Sequence, residues 1–391
     1  MPIGGVTLQS VTEYYRYCPE QVEVKISDAV CIGRRRSNFS MCRGCQFNDD
    51  EKKGSSARGA AGGHRPTVDP AMIEQLFKAY DVRAVYPDPL DETGAWRIGY
   101  SAAQYLLRSL GAMDRANEKR TRIVVGRDMR KSSPALVSAL TDGIRSAAAS
   151  VIDIGMIDTP QLYFGVNQVG AIGGIQTTAS HNPAQYNGFK ICGPRGVPIG
   201  ANTGLGDICR IAQKVSKHKS DRQGSLAELN LTAEYKKFIR GFLEPVEPMK
   251  IVIDSSNGMA GKWAPTIFDD VPNLSIVHLN VETTGEFVHD PNPLVDANLD
   301  QLRAEVTRTG ADFGVCFDGD ADRCMLVDER AEIVRCDKLT ALLAKWFLQR
   351  QPGATIVYDL RSSRVVADEI KAAGGVPRRE RVGHGARRKL F

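Results

Sequence analysis

The sequence has 391 residues, with 51 Lys and Arg against 46 Asp and Glu, a formal balance of +5. Over that length the surplus is too weak to imply nucleic-acid binding. A 42% apolar and 25% charged composition excludes wholesale disorder, and no apolar run approaches the roughly 18–20 residues that span a bilayer. At roughly 100–200 residues per domain, the length predicts two to four domains.

Met1 to Glu20 lacks an apolar h-region, so no secretory signal is expected. The nine cysteines are an odd number, mostly inside apolar patterns, which favours a reducing cytoplasm over a disulfide scaffold. Cys42-Arg43-Gly44-Cys45 forms a CxxC knuckle, and Cys18 and Cys31 offer the other half of a four-cysteine Zn2+ site. Free thiols in an irregular extension are the alternative. The small-residue run Gly54 to Gly63 reads as a flexible linker. Asp69 and Pro70 then suit a helix start, with Met72, Ile73, Leu76 and Phe77 as its apolar face.

From there strands and helices alternate. Ile123-Val124-Val125 runs into a polar turn and a helix opening near Ser132-Ser133-Pro134. The pattern returns at Ile251 to Asp254 with Ser255 to Gly258, and at Ile356 to Asp359 with a helix from Arg364 to Ala373. Apolar strands feeding helices mean βαβ units and largely parallel sheets. The recurrence predicts an α/β protein of tandem similar domains, each a mixed, mostly parallel sheet packed between helices. After Val382-Gly383-His384 the third copy stops in a basic tail, Gly385 to Phe391, which reads as a frayed end or a shortened product.

Two loops carry chemistry. Thr177-Thr178-Ala179-Ser180-His181-Asn182-Pro183, leading to Tyr186-Asn187-Gly188-Phe189-Lys190, follows the strand-like Ala171 to Ile175. α/β sites usually lie at such strand ends. A serine there needs a base or a phosphoryl-transfer environment to act as a nucleophile; otherwise the loop is a polar turn. Asp318-Gly319-Asp320-Ala321-Asp322-Arg323 separates the apolar runs Phe313 to Phe317 and Cys324 to Val327. In an extended segment, alternate residues point the same way, and a turn at Gly319 would gather three carboxylates. They repel unless a hard cation such as Mg2+ or Ca2+ sits among them, and Arg323 adds a phosphate partner. An EF-hand would place Glu329 at its twelfth position, but its sixth would be Gly, not Arg323, and the flanks read as strands. Together the loops suggest phosphoryl transfer: a serine carrier, a metal and basic clamps.

These residues resemble the α-D-phosphohexomutases, in the phosphomannomutase/phosphoglucomutase branch. The resemblance rests on Thr177 to Pro183 with Asn187 to Lys190, and on Asp318 to Arg323. Ala79 to Arg83, Gly126 to Ser133 and His289-Asp290-Pro291-Asn292-Pro293 extend it over about residues 72 to 384. It implies a phosphoserine at Ser180, Mg2+ held by Asp318, Asp320, Asp322 and a Ser180 phosphate oxygen, and His181 and Lys190 beside the reacting oxygens. Of these two, Lys190 is the better placed for proton transfer. Tyr80, Arg83 and Arg323 would line the substrate site. The serine phosphate would pass to a hexose monophosphate, a hexose 1,6-bisphosphate would turn around, and the other phosphate would return.

The implied division is a Cys-containing extension over 1–53, a linker over 54–66, the phosphoserine domain over 67–225, the metal-loop domain over 226–332 and a partial third domain over 333–391. The family has four domains; by this resemblance the third is incomplete and the fourth absent, with the loops that grip the sugar and its distal phosphate. Gly383-His384 lacks the family's following aromatic and Lys, and position 84 is Ala where Gly is usual. Impaired turnover is therefore expected. The alternatives are a non-catalytic relic binding Mg2+ and sugar phosphate, a phosphatase and, within the family, a phosphoglucosamine mutase. Hexose phosphate is the expected partner, with neither membrane nor nucleic acid.

Overall fold

The computed structural model describes residues 15–18, 21–27 and 70–381, apart from 116, 219 and 221. The chain divides into two units, Met1–Pro66 and Thr67–Phe391. In the first, β1 (Tyr15–Cys18) pairs antiparallel with β2 (Gln21–Ser27). The zinc expectation lies outside the described residues, since Cys31, Cys42 and Cys45 do; so do the linker over 54–66 and the Val382-Gly383-His384 stretch with its basic tail.

The second unit opens with α1 (Pro70–Leu76), which buries Ile73 and Leu76; Met72 stays exposed at the margin of that face and Phe77 falls past its end. There follow β3 (Val82–Val85), α2 (Glu92–Leu107), β4 (Arg122–Arg127), α3 (Ser133–Ser146), β5 (Ser150–Met156) and α4 (Thr159–Gln168). β6 (Gly173–Thr177), β7 (Tyr186–Gly193), β8 (Val197–Pro198), α5 (Leu205–Lys214) and β9 (Leu226–Glu228) complete this layer. The strands order as β3-β7-β6-β4-β5-β9, with β8 on β7. β6, β4, β5 and β9 run parallel to one another, and β7 is antiparallel to β6 and β3. β4 is central and covered on both faces, which is why Ile123, Val124 and Val125 form an unbroken apolar run. β9 belongs to this first sheet, so the layer extends past the boundary drawn between residues 225 and 226.

α6 (Thr232–Arg240), β10 (Met249–Asp254), α7 (Ala260–Phe268), β11 (Leu274–Leu279), α8 (Asp300–Thr309), β12 (Phe313–Phe317), β13 (Cys324–Asp328) and β14 (Ile333–Val334) form the next layer. Its sheet orders as β11-β10-β12-β13-β14, parallel around β10 and antiparallel beyond β12. Last come α9 (Cys336–Arg350), β15 (Thr355–Asp359), α10 (Arg364–Ala372) and β16 (Val376–Glu380), with β15 and β16 parallel. The strand–helix–strand unit thus recurs as β4-α3-β5, β10-α7-β11 and β15-α10-β16, each closing a parallel pair.

One apolar cluster lies under α1, α2, α3 and α5. A second joins the first two sheets' layers: Val124, Ile157 and Leu162 from one pack with Met259, Trp263 and Ile267 from the other. Each side chain so buried contributes roughly 1.5–3 kcal/mol, so this seam fixes the strand ends of the two layers against one another. Among the described residues, no helix is long and apolar enough to cross a membrane.

Candidate active site

The loop after β6 turns at Ser180, whose φ of +52° lies in the left-handed region. Its amide donates to Thr178 Oγ1 at 2.9 Å, and Asn182 N closes onto Ala179 O at 3.1 Å. The loop is held from the end of β4 by Arg130. Its Nη1 donates to the carbonyls of Pro183 and Tyr186 at 2.7 and 3.0 Å, and its Nη2 to those of Ser180 and Asn182 at 2.9 and 2.6 Å. Its Nε reaches Asp128 Oδ2 at 3.1 Å, and both side chains are fully buried. Asp128 also accepts from Ser133 Oγ at 2.6 Å, while Asn187 donates to Ser132 and Ser133. One guanidinium thus bonds four carbonyls of one short loop, of which Pro183 O also accepts from Tyr186 N at 3.0 Å.

The acidic loop joins β12 to β13. The segment from Asp318 to Arg323 is a turn that includes Gly319, as expected, and not a continuation of the flanking strands. Asp318 N donates to Arg323 O at 3.0 Å, Ala321 takes a φ of +55°, and Asp318 Oδ1 accepts from the amides of Asp322 and Arg323 at 3.1 Å. Asp318 thereby caps its own turn. Gly319 and Gly258 meet almost backbone to backbone: a Cβ on Gly258 would lie 2.8 Å from Gly319 Cα.

The two loops converge. Ser180 Oγ donates to Asp318 Oδ2 at 2.8 Å, and Arg323 Nη2 bonds Ser180 Oγ and reaches His181 Nδ1 at 2.6 Å. Lys190, on β7, sets its Nζ 2.6 Å from Asp320 Oδ2 and also pairs with Asp322. Arg83, on β3, donates to Asn182 Oδ1 at 2.6 Å and pairs with Asp81. Tyr80 stands at the exposed rim, where it lines a small pocket of about 80 Å³ with Lys190 and Asp322. Ser180, His181, Lys190, Arg323 and the three aspartates therefore meet, Arg83 buttresses the loop, and Tyr80 lies at the edge.

Sequence reading missed three supports. Arg130 and Asp128 lie in the quoted Gly126 to Ser133 stretch, yet nothing in that stretch marks which charges turn inward. The third is Thr159 at the start of α4, whose Oγ1 donates to Asp320 Oδ2 at 2.5 Å across the seam. Only tertiary packing reveals that contact.

Charge is tightly coupled here. Burial opposes ionisation of Asp320, yet the Lys190 ammonium and the Thr159 hydroxyl hold its carboxyl well below the usual range. Asp318 is pushed up, by burial first and then by Asp320 and Asp322. Burial disfavours the Lys190 ammonium, but the three carboxylates more than offset it and keep it protonated. Burial, then Arg323 and Arg83, push His181 down to about 4, so its ring is neutral near pH 7.

The donor set suits a hard cation. Ligand atoms of Asp318, Asp320 and Asp322 lie within 4.8 Å of one another, and Asp320 Oδ1 is buried without a hydrogen-bond partner. An all-oxygen set with an orphaned carboxylate oxygen fits Mg2+ better than a soft metal.

Comparison with known proteins places this geometry in context. Residues 74–219 match the family model of phosphoglucomutase/phosphomannomutase alpha/beta/alpha domain I, and residues 233–331 that of domain II. The chain is 37% identical over 317 residues to a phosphomannomutase of Escherichia coli strain K12, covering 79% of this chain and 67% of the relative. It is 35% identical over 316 residues to a phosphoglucomutase of Neisseria meningitidis serogroup A, covering 80% and 66%. A solved phosphoglucomutase/phosphomannomutase family protein from Burkholderia thailandensis superposes with a TM-score of 0.73 at 34% identity, over 81% of this chain and 68% of the other. The chain thus spans about two thirds of the length of the curated relatives it matches.

Proposed function

The chain belongs to the phosphoglucomutase/phosphomannomutase family of phosphohexomutase isomerases, and we propose that it carries a phosphoryl group on Ser180 and exchanges it with mannose or glucose monophosphates. The observation that carries this reading is the 2.8 Å contact between Ser180 Oγ and Asp318 Oδ2, with Arg323 on the same hydroxyl.

In the forward half, the bond from phosphorus to Ser180 Oγ breaks and one to a hexose hydroxyl oxygen forms. The hexose hydroxyl gives up its proton, Ser180 Oγ takes one up as its bond to phosphorus breaks, with Lys190 positioned to donate it, and the product is a hexose 1,6-bisphosphate. In the return half, the bond from the other phosphorus to its hexose oxygen breaks and one to Ser180 Oγ forms; Ser180 Oγ gives its proton back and the freed hexose oxygen takes one up. Asp318, Asp320, Asp322 and the Ser180 oxygen would hold Mg2+, which when bound neutralises charge on the phosphoryl oxygens. Arg323 already touches the oxygen that gains and loses the phosphoryl group, so it is placed to stabilise charge there. His181 keeps its Nδ1 on Arg323, which fixes the neutral ring's tautomer. Lys190 is the mobile proton carrier of the set, held charged until its carboxylate partners are otherwise engaged. Tyr80 and Arg83 border the substrate.

The test is intact-mass analysis of the full chain after exposure to glucose 1,6-bisphosphate and Mg2+, followed by assay with mannose 1-phosphate and glucose 1-phosphate. One phosphoryl adduct, absent in Ser180→Ala, and slow, impaired conversion to the 6-phosphate are expected. No adduct, or release of inorganic phosphate without isomerisation, would overturn the proposal.

A further inference from the structure

A second concavity lies on the seam between the first two layers, away from the serine loop. Its volume is about 590 Å³, within the roughly 300–1,000 Å³ of small-molecule sites. It is lined by the ends of β4 and β5, the first turn of α4, β9 and the start of α7. Two cations border it, Arg127 and Lys262, close enough for Arg127 to depress the Lys262 ammonium in addition to the effect of burial. Lys262 Nζ is steadied by the Met156 carbonyl at 2.6 Å and lies 4.7 Å over the Trp263 ring.

Two further lining residues carry polar atoms with no partner. Gln161 is 1% exposed and Trp263 3% exposed, yet Gln161 Oε1 and Trp263 Nε1 are buried without a hydrogen bond. Both atoms are themselves buried, so a ligand on this wall meets each only as its side chain turns; an unpaired buried donor or acceptor costs about 1–3 kcal/mol, which favours that turn. The wall also presents the carboxylates of Asp153 and Glu228. Paired cations suit a phosphate, whereas an orphaned amide oxygen and two carboxylates need hydroxyl donors.

The geometry points to a second, non-catalytic site for a small phosphorylated polyol, with the phosphate on Arg127 and Lys262 and hydroxyls on Gln161, Asp153 and Glu228. The inference does not depend on phosphoryl transfer at Ser180.

Sorbitol 6-phosphate and inorganic phosphate are the probes, titrated into the full chain and followed by tryptophan fluorescence. Trp263→Phe abolishes the signal and so assigns it. Lys262→Met and Arg127→Gln each weaken both probes about tenfold, the loss of one hydrogen bond to a charged group. Gln161→Met weakens sorbitol 6-phosphate several-fold and leaves inorganic phosphate unchanged, while Glu228→Gln, on the exposed edge strand, tightens inorganic phosphate. Ser180→Ala changes none of these curves, which separates the site from the catalytic loop. The absence of saturable change in Trp263 emission overturns the inference. So do curves indifferent to both Lys262→Met and Glu228→Gln, or a signal that tracks Ser180→Ala instead.

Discussion

The carbonyl oxygen of Ser180 lies 2.5 Å from the point where a Cβ on Gly319 would begin. The serine loop and the acidic loop therefore touch through bare backbone, and the Ser180–Asp318 contact depends on it. Gly319→Ala forces the loops apart. The expected cost is about 1–3 kcal/mol, the usual penalty for overpacking, with a marked slowing of Ser180 phosphorylation. Urea denaturation and the rate of adduct formation check both. Gly111→Ala, where an added Cβ meets nothing within 4 Å, leaves both unchanged.

Arg130 is a positioning residue. Arg130→Lys cannot reproduce its fork of four carbonyl contacts and leaves Asp128 poorly paired in a dry site. Breaking a buried pair costs about 3–5 kcal/mol. The expected result is a lowered urea midpoint together with a lowered rate constant for phosphorylation that persists well below the midpoint, where the chain is still folded. An unchanged rate in the folded variant would remove Arg130 from any positioning role.

The left-handed backbone at Ser180 separates chemistry from stability. Ser180→Ala and Ser180→Gly both abolish the phosphoryl adduct, since each removes the same hydroxyl. Glycine escapes the steric penalty of L-residues at φ near +52°, so the Gly variant is expected to be about 1 kcal/mol more stable than the Ala variant. Equal midpoints in urea would show that the turn relaxes once the hydroxyl is gone.

In the absence of metal Lys190 pairs with Asp320 and Asp322, while Arg323 pairs with Asp318 and Asp322. Lys190→Met leaves Asp320 and Asp322 without that partner, and destabilisation of about 3–5 kcal/mol is expected in metal-free buffer. Mg2+ should then raise the melting temperature of the variant more than that of the parent chain, because binding to the folded state alone stabilises it. Differential scanning calorimetry across a Mg2+ series reads this directly; equal shifts in the two proteins would count against the carboxylates as the metal site.

Asp158 caps α4, accepts from Gln161 N at 2.7 Å and Tyr235 Oη at 3.1 Å, and is pushed up to about 7, chiefly by burial. The unfolded chain gives up this proton near pH 4, so between pH 4 and 7 the folded state binds the extra proton. Stability from this group is therefore present below pH 4 and lost as pH rises through 7. Asp158→Asn keeps the cap without the charge. Its advantage over the parent chain should be small at pH 4 and grow to a ceiling of roughly 4 kcal/mol by pH 8, at 1.36 kcal/mol per pH unit. Urea unfolding at each pH measures it.

The sequence announced the fold because buried parallel strands write themselves as apolar runs, and Ile123 to Val125 and Ile251 to Ile253 lie in such strands. It announced the acidic loop because three aspartates in five positions have few bland explanations. The carboxylates are gathered by a turn at Gly319, as expected, but its closure by Asp318, which accepts from the amides of Asp322 and Arg323, was not legible. Thr159 and Asp320 are 161 positions apart and Arg130 and Ser180 are 50 apart, so neither contact leaves a periodic trace. A guanidinium committed to main-chain carbonyls also looks, in sequence, like any surface arginine.

The shared apolar seam of Val124, Leu162, Met259 and Trp263 has a kinetic corollary. Ser180 and the acidic loop ride on opposite banks of that seam and cannot drift apart without exposing it to water. They form a fixed anvil. If the proposed exchange through a bisphosphate operates, the reorientation that swaps its two ends would fall to the sugar, tumbling above a surface that holds still.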